Sequence, residues 1–113
     1  MTQENKELLF KDLCARLPYG VIIQIKDWAV LDAELKIGHI NRLQINDVEL
    51  KPYLFPMSSM TDEQYKEYWE LEHSGNMEHL SIPALDWLNK NHFDYRGLIE
   101  KEIAIDATGL NIY

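Results

Sequence analysis

Apolar positions near the start of the chain recur every three or four residues, which is the period of an amphipathic helix. They are Leu9, Phe10, Leu13, Cys14 and Leu17. Asn5 can cap this helix, and Pro18 disfavours helical geometry at the residue before it, so we predict a helix that ends near Arg16. Cys14 is predicted to be a small core residue on the apolar face, with Asp12 and Arg16 mostly on the polar face.

The period then becomes strand-like, with β-branched residues and strict alternation of apolar and polar side chains. The predicted strands cover residues 21–25, 29–37, 39–45 and 48–53. Gly38 fits a tight turn, and Asn46 with Asp47 suits a two-residue hairpin because both side chains tolerate positive φ. Four short strands joined by tight turns predict a small antiparallel β-meander.

The second half of the chain returns to helical signals. Thr61 and Gln64 can form a capping box for an acidic helix that ends near His73. Ser81 can cap the next helix, and Asp94 can cap a short final one through 101. A tail at 103–107 is predicted to add an edge strand. These elements together predict an α+β fold: an N-terminal helix, the meander, then two to three C-terminal helices.

Residues 51–60 combine two prolines with five large apolar side chains. Because proline cannot donate to a sheet ladder, we expect neither a regular helix nor a central strand here. One interpretation is an extended connector packed across one end of the core. The other is a partly exposed, adaptable binding patch, since Met and aromatic residues are enriched at interfaces. Its candidate contact residues are Tyr53, Phe55, Met57 and Met60.

Residues 84–101 mix aromatic side chains with His, Asp and Arg at a predicted helix junction. One interpretation is a capped junction with packed aromatic rings. The other is an edge that binds a peptide or ligand, because aromatic residues and Arg are enriched among binding hot spots. Its candidate residues are Trp87, Phe93, Tyr95 and Arg96.

Charge and composition narrow the functional classes. The chain has 113 residues, enough for one domain spanning 1–113, and its net charge is −8. Residues 58–113 hold eleven acidic and four basic side chains, which disfavours direct binding to nucleic acid. A single cysteine excludes an internal disulfide, and neither a leader nor an apolar run of membrane-spanning length is evident. We therefore expect a cytoplasmic protein that does not enter a membrane.

No motif for catalysis, metal or cofactor binding stands out. The four histidines lack the close spacing on one element that is typical of metal ligands, and the five glycines are too scattered for a phosphate-binding loop. We therefore predict no metal and no cofactor. Abundant carboxylates leave open a small enzyme with a His and carboxylate pocket.

Three strings of the sequence resemble an uncharacterised family of short proteins found in gut anaerobic bacteria, their phages and mobile elements. The strings are CARLPYGV at 14–21, KPYLFPMSSMT at 51–61 and ALDWLNKNHFDYRGLIEK at 84–101. The family has no known activity, so the resemblance implies no catalytic residues. It implies the context of an accessory factor encoded on mobile DNA rather than a core metabolic enzyme.

The leading functional prediction is a small accessory protein that works by binding another protein. Its surface would join the segments 52–60 and 87–96, and the acidic helix 62–72 would steer a basic partner. Two alternatives stay open: an acidic mimic of nucleic acid that inhibits a DNA-binding enzyme, and a small enzyme. A homo-oligomer also stays open.

Overall fold

The computed structural model describes residues 1–45, 48–73 and 82–113. Its helices are α1 (Gln3–Arg16), α2 (Ile37–Gln44), α3 (Asp62–Glu72) and α4 (Ile82–Lys90). Its strands are β1 (Ile22–Lys26), β2 (Val30–Glu34), β3 (Glu49–Pro56), β4 (Phe93–Asp94) and β5 (Ile105–Asp106). The predicted α+β class is confirmed: an N-terminal helix, an antiparallel-rich sheet and C-terminal helices. No helix in these ranges is long and apolar enough to cross a membrane.

The sheet is organised around β3. Strand β1 pairs antiparallel with both β2 and β3, whereas the two-residue strands β4 and β5 pair parallel with β3. The buried side chains of β1 and β3 form one apolar core with the inner faces of α1 and α2. This core includes Leu9, Leu13, Ile23, Ile25, Ile40, Leu43, Leu50 and Leu54.

The expectation that two prolines exclude a central strand is wrong. At both prolines the missing N–H would point to a side of β3 where no described strand pairs with that position. The Phe55 amide donates to the carbonyl of His92, directly before β4, whereas the Leu54 carbonyl accepts from Ala107, directly after β5. Alternate residues of a strand bond to opposite sides, so Pro52 and Pro56 face the same side as Leu54. There β5 pairs only with positions 53 and 54, so neither proline removes a ladder bond.

The predicted strand at 39–45 is also wrong, because this segment forms helix α2. The alternation of β2 stops at Glu34, and Ile40 and Leu43 are then buried three residues apart, as a helix requires. The imidazole Nδ1 of His39 accepts from the backbone N–H of Lys36 at 2.9 Å and thereby caps the start of the helix. The predicted turn at 46–47 lies outside the described residues.

The first helix ends where predicted but differs in its cap and its faces. The Thr2 hydroxyl, not Asn5, caps α1 by accepting from the Asn5 amide. Cys14 is exposed rather than in the core, whereas Asp12 and Arg16, expected on the polar face, are completely buried. The cause is tertiary: another ion-pairing side chain, Arg96, reaches Asp12 from the far end of the chain.

The C-terminal region carries fewer regular elements than predicted. The expected helix from Asp94 is wrong: the Asp94 carboxylate accepts from the amides of Leu98 and Ile99, and this closes a loop of turns instead. Gly97 within that loop has a φ of 73°, which is left-handed backbone and ends helical geometry. The edge strand expected at 103–107 is present as β5. Ser81, expected to cap α4, lies outside the described residues.

A buried ionic cluster joins α1 to the chain beyond α4. The Arg16 guanidinium donates through Nε to Asp12 Oδ2 at 2.9 Å and through Nη2 to the Phe93 carbonyl at 2.6 Å. Arg96 Nη1 donates to Asp12 Oδ1 at 2.8 Å, and both guanidinium groups lie over the Tyr95 ring. Two cations therefore share one carboxylate, with an aromatic ring between them. We call Asp12, Arg16, Tyr95 and Arg96 the ionic cluster.

Replacing Arg16 by Met is expected to reduce the free energy of unfolding by about 3–5 kcal/mol, because it removes the buried partner of Asp12 and Phe93. Urea titration followed by circular dichroism measures this loss. The matched control is Lys11→Met on the exposed side of α1, expected to change stability by less than about 0.5 kcal/mol. Equal stability of the two variants would contradict a structural role for the ionic cluster.

Candidate functional site

A continuous row of aromatic rings connects the two segments that sequence patterns marked as candidate binding surfaces. Ring centres lie 5.8 Å apart for Tyr113 and Phe55, 6.2 Å for Phe55 and Phe93, and 5.5 Å for Phe93 and Trp87. Trp87 in turn stacks on Tyr68 of α3 at 6.0 Å. The parallel register that places Phe55 opposite Phe93 brings the segments together. We call these five rings the aromatic row.

A cleft of about 450 Å³ opens at the Tyr113 end of the aromatic row. Phe55, Phe93, His92 and Tyr113 form its aromatic wall. Hydrophilic groups complete the lining, and they come from Ser59, Gln64, Lys90, Asn91, Thr108 and the backbone at Gly109. Clefts of this size with an apolar wall and a few polar groups are typical of sites for small ligands.

His92 lies on strained backbone in the wall of the cleft. Its φ is 63°, a left-handed value that is uncommon for a residue with a side chain, and its ring stacks on Tyr113 at 3.9 Å. Burial, and then the positive charge of Arg16, lowers the pKa of His92 to about 4. Its Nδ1 atom is buried and has no hydrogen-bond partner among the described residues. The imidazole is therefore neutral at pH 7.

The hydroxyl of Tyr113 holds the opposite side of the wall. It accepts from the Ile22 amide at 2.9 Å and donates to the Tyr53 carbonyl at 2.7 Å, so it bridges β1 and β3 where their ladder ends. Burial raises the pKa of Tyr113 to about 12. The Tyr113 proton is therefore held by a carbonyl, and the described lining of the cleft consists of aromatic rings, one ammonium and neutral polar groups.

Four of the eight predicted contact residues are buried or take part in internal ion-pair and ring contacts, and the role of all eight as contact residues stays a prediction. Tyr53 and Phe93 are 5% and 2% exposed, and the Tyr53 hydroxyl donates to Asp32 at 2.7 Å. Tyr95 and Arg96 belong to the ionic cluster. The remaining four are half-buried, and they are Phe55, Met57, Met60 and Trp87.

The most exposed large apolar side chain in the described residues was missed by sequence reasoning. Trp28 is fully exposed at the tip of the β1–β2 hairpin. Asp27 orders this tip: one carboxylate oxygen accepts from the amides of Trp28 and Ala29, and the other accepts from Arg42 of α2 at 3.1 Å. The Arg42 bond, then the two amides, hold the pKa of Asp27 below its usual value. The sequence signal was an Asp–Trp pair between two strands, which is typical of an Asx turn.

Strand β2 leaves one edge of the sheet unpaired within the described residues, and we call it the open edge. Backbone bonds from Leu35 to Val21 and from Asp27 to Ala29 show that odd-numbered positions face β1. Three residues therefore direct their N–H and C=O groups outward, and they are Val30, Asp32 and Glu34. Leu31 lies opposite the buried Ile25 and on the same face, yet it is 59% exposed.

His39 and His73 do not line the cleft. His39 caps α2, and His73 is exposed and stacks on Trp69 at 4.2 Å. His79 lies outside the described residues. No cluster of three or more His, Cys, Asp or Glu side chains that could hold a metal ion occurs in the ranges that the structure describes.

The low pKa of His92 makes stability depend on pH. The unfolded chain takes up a proton near pH 6.5, whereas folded His92 resists protonation until about pH 4, so the free energy of unfolding falls as pH drops through this window. The difference in urea midpoint between the native chain and His92→Asn, which tolerates left-handed backbone, isolates this contribution. An NMR titration of the His92 ring centred at pH 6.5 instead would contradict it.

No family model, curated protein or solved structure matches this chain. The resemblance to short proteins of gut anaerobes and mobile elements therefore stays a prediction.

Proposed function

We propose that this protein acts by binding another protein, and that Trp28 and the open edge of β2 form the contact surface. The observation that carries the proposal is a fully exposed tryptophan on a turn that is already ordered. Tryptophan is among the residue types most enriched in binding hot spots. A fully exposed indole contributes no hydrophobic free energy to folding. Burial against a partner would remove its apolar surface from water.

Preorganisation supports this assignment of the surface. Both carboxylate oxygens of Asp27 are engaged, one by the turn and one by Arg42, so the tip that carries Trp28 is fixed to α2. A surface that is ordered before binding avoids the entropy cost of ordering it in the complex. Leu31 adds apolar area beside it, on the face that continues from the core.

The open edge favours an extended partner segment that alternates apolar with basic residues. Outward backbone groups of β2 can pair with such a segment as an added strand. The carboxylates of Asp32 and Glu34 lie along this edge; Glu34 is also ion-paired with Lys36, and Asp32 accepts from the Tyr53 hydroxyl at 2.7 Å. Pairing β2 with β2 of a second copy would place carboxylates of the two copies next to one another. Repulsion between these like charges disfavours a homo-oligomer. A basic partner also suits the net charge of −8.

Helix α3 bears on the alternative of a nucleic-acid mimic. It has no buried residue and carries five carboxylates and one lysine. Phosphate-like spacing would call for an uninterrupted acidic face, but Tyr65 and Trp69 are 59% and 49% exposed between these charges. Exposed aromatic rings favour a protein partner over mimicry. The cytoplasmic location and the mobile-element context remain predictions that accompany this proposal.

The test is selection of peptides from a displayed random library on the native protein, followed by affinity measurements on variants. We expect selected peptides to alternate apolar residues with Lys or Arg. Trp28→Ala should weaken binding roughly tenfold or more, because it removes the apolar anchor. Val30→Pro should weaken it roughly fivefold, because it removes one outward N–H without touching the β1 ladder.

Val30→Thr is the matched control, since it keeps both the outward N–H and β-branching; native affinity is expected. Binding that is unchanged in both Trp28→Ala and Val30→Pro would refute this surface. Binding that collapses above physiological salt and ignores Trp28 would instead favour the acidic mimic. Light scattering that shows a dimer disrupted by Val30→Pro would replace the foreign partner with a second copy of the chain.

A further inference from the structure

We propose that the cleft beside His92 binds a small organic anion in which a carboxylate is attached to a flat aromatic body. This site is separate from the open edge of β2, and the two proposals stand or fall independently.

The size and the wall of the cleft specify an aromatic body. A volume of about 450 Å³ lies in the range of small-ligand sites and admits a bicyclic ring with a short side chain. Phe55 and Tyr113 line it with their rings in contact at 5.8 Å, and His92 stacks against Tyr113. Rings in a ligand gain offset or edge-to-face contacts with such a wall. Because His92 is neutral at pH 7, its ring adds aromatic surface without adding charge.

The charge of the lining specifies an anion. Lys90, at the last turn of α4, is exposed at the rim and forms no ion pair with any carboxylate in the described residues. No Asp or Glu among the described residues lines the cleft, although acidic residues outnumber basic ones in the chain by eight. Donors accompany the ammonium: the Thr108 hydroxyl and the side-chain N–H groups of Gln64, whose amide oxygen already accepts from the Thr61 N–H at 2.9 Å. The Ser59 hydroxyl donates to the Pro56 carbonyl instead. A lining that offers a cation and neutral hydrogen-bond donors is suited to bind an anionic group.

Internal hydrogen bonds hold the wall of the cleft in place. The Tyr113 hydroxyl bridges β1 and β3, the Phe55 amide binds the His92 carbonyl at 2.8 Å, and the Asn91 side chain donates to the Trp87 carbonyl at 2.9 Å. These bonds hold the residues of the aromatic wall and the segments next to them in place. A ligand would therefore bind with little reorganisation of the protein.

The experiment uses a pair of probes that differ in one charge: N-acetyl-tryptophan and N-acetyl-tryptophanamide. Both are titrated into the native protein while the backbone amide signals are followed by NMR. We expect the acid to shift the signals of His92, Tyr113 and Gly109 saturably, with an affinity roughly fivefold or more above that of the amide. Lys90→Gln should reduce this preference to about one, because it removes the charge and keeps a flexible polar side chain.

Lys26→Gln is the matched control, since Lys26 is exposed at the end of β1 and absent from the cleft lining; it should keep the native preference. Equal affinity of acid and amide for the native protein would overturn the anion assignment, and so would a preference that persists in Lys90→Gln. Absence of saturable shifts at the cleft at millimolar probe would overturn the site itself. Val30→Pro should bind the acid as the native chain does, so failure of either proposal leaves the other intact.

A peptide with a C-terminal tryptophan, tested as free acid and as amide, shows whether the carboxylate can come from a chain end. Preference for the free-acid peptide would extend the site to peptide termini. Binding of N-acetyl-tryptophan alone would limit it to free small molecules. Both results support the anion-binding cleft and distinguish its source of ligand.

Discussion

The rest of the structure depends on the contacts that the buried guanidinium of Arg16 makes. It is completely buried, it bonds to Asp12 on its own helix, and it also reaches the Phe93 carbonyl, 77 residues along the chain. This second bond fixes where β4 lies. Since β4 is only two residues long, its pairing with β3 has little cohesion of its own and relies on this anchor. A cation without partners in the interior would be costly, so Asp12 and Phe93 are required as much as Arg16 is.

The aromatic row and the cleft follow from that anchor. Once β4 is set beside β3, Phe93 meets Phe55, and the chain just before it must turn sharply through His92 in left-handed backbone. The same guanidinium charge helps to keep His92 neutral. The buried charged side chains of α1 thus set the register of a short parallel strand. In that register, aromatic rings that are distant in sequence lie side by side and form the cleft wall.

The open edge is built on a different principle. Strand β2 is joined to the sheet through its ladder with β1 alone, and the tip of the hairpin is joined to α2 by the ion pair between Asp27 and Arg42. Four of the five residues of β2 are exposed. Edge strands of this kind are normally protected by charge, and Asp32 and Glu34 place carboxylates at this edge. The two proposed sites therefore differ in chemistry as well as in location.

What the sequence by itself determined is local. The end of α1 before Pro18, the capping box of α3 at Thr61 and Gln64, and the β-branched run of β1 depend on residues within a few positions of one another, so their patterns were readable. The segment at 39–45 was misassigned because so short an apolar pattern fits either period. Only tertiary structure decided the burial of Arg16, the place of Pro52 in a central strand and the exposure of Trp28. Each depends on which groups the chain brings alongside from far away, and no local pattern encodes that.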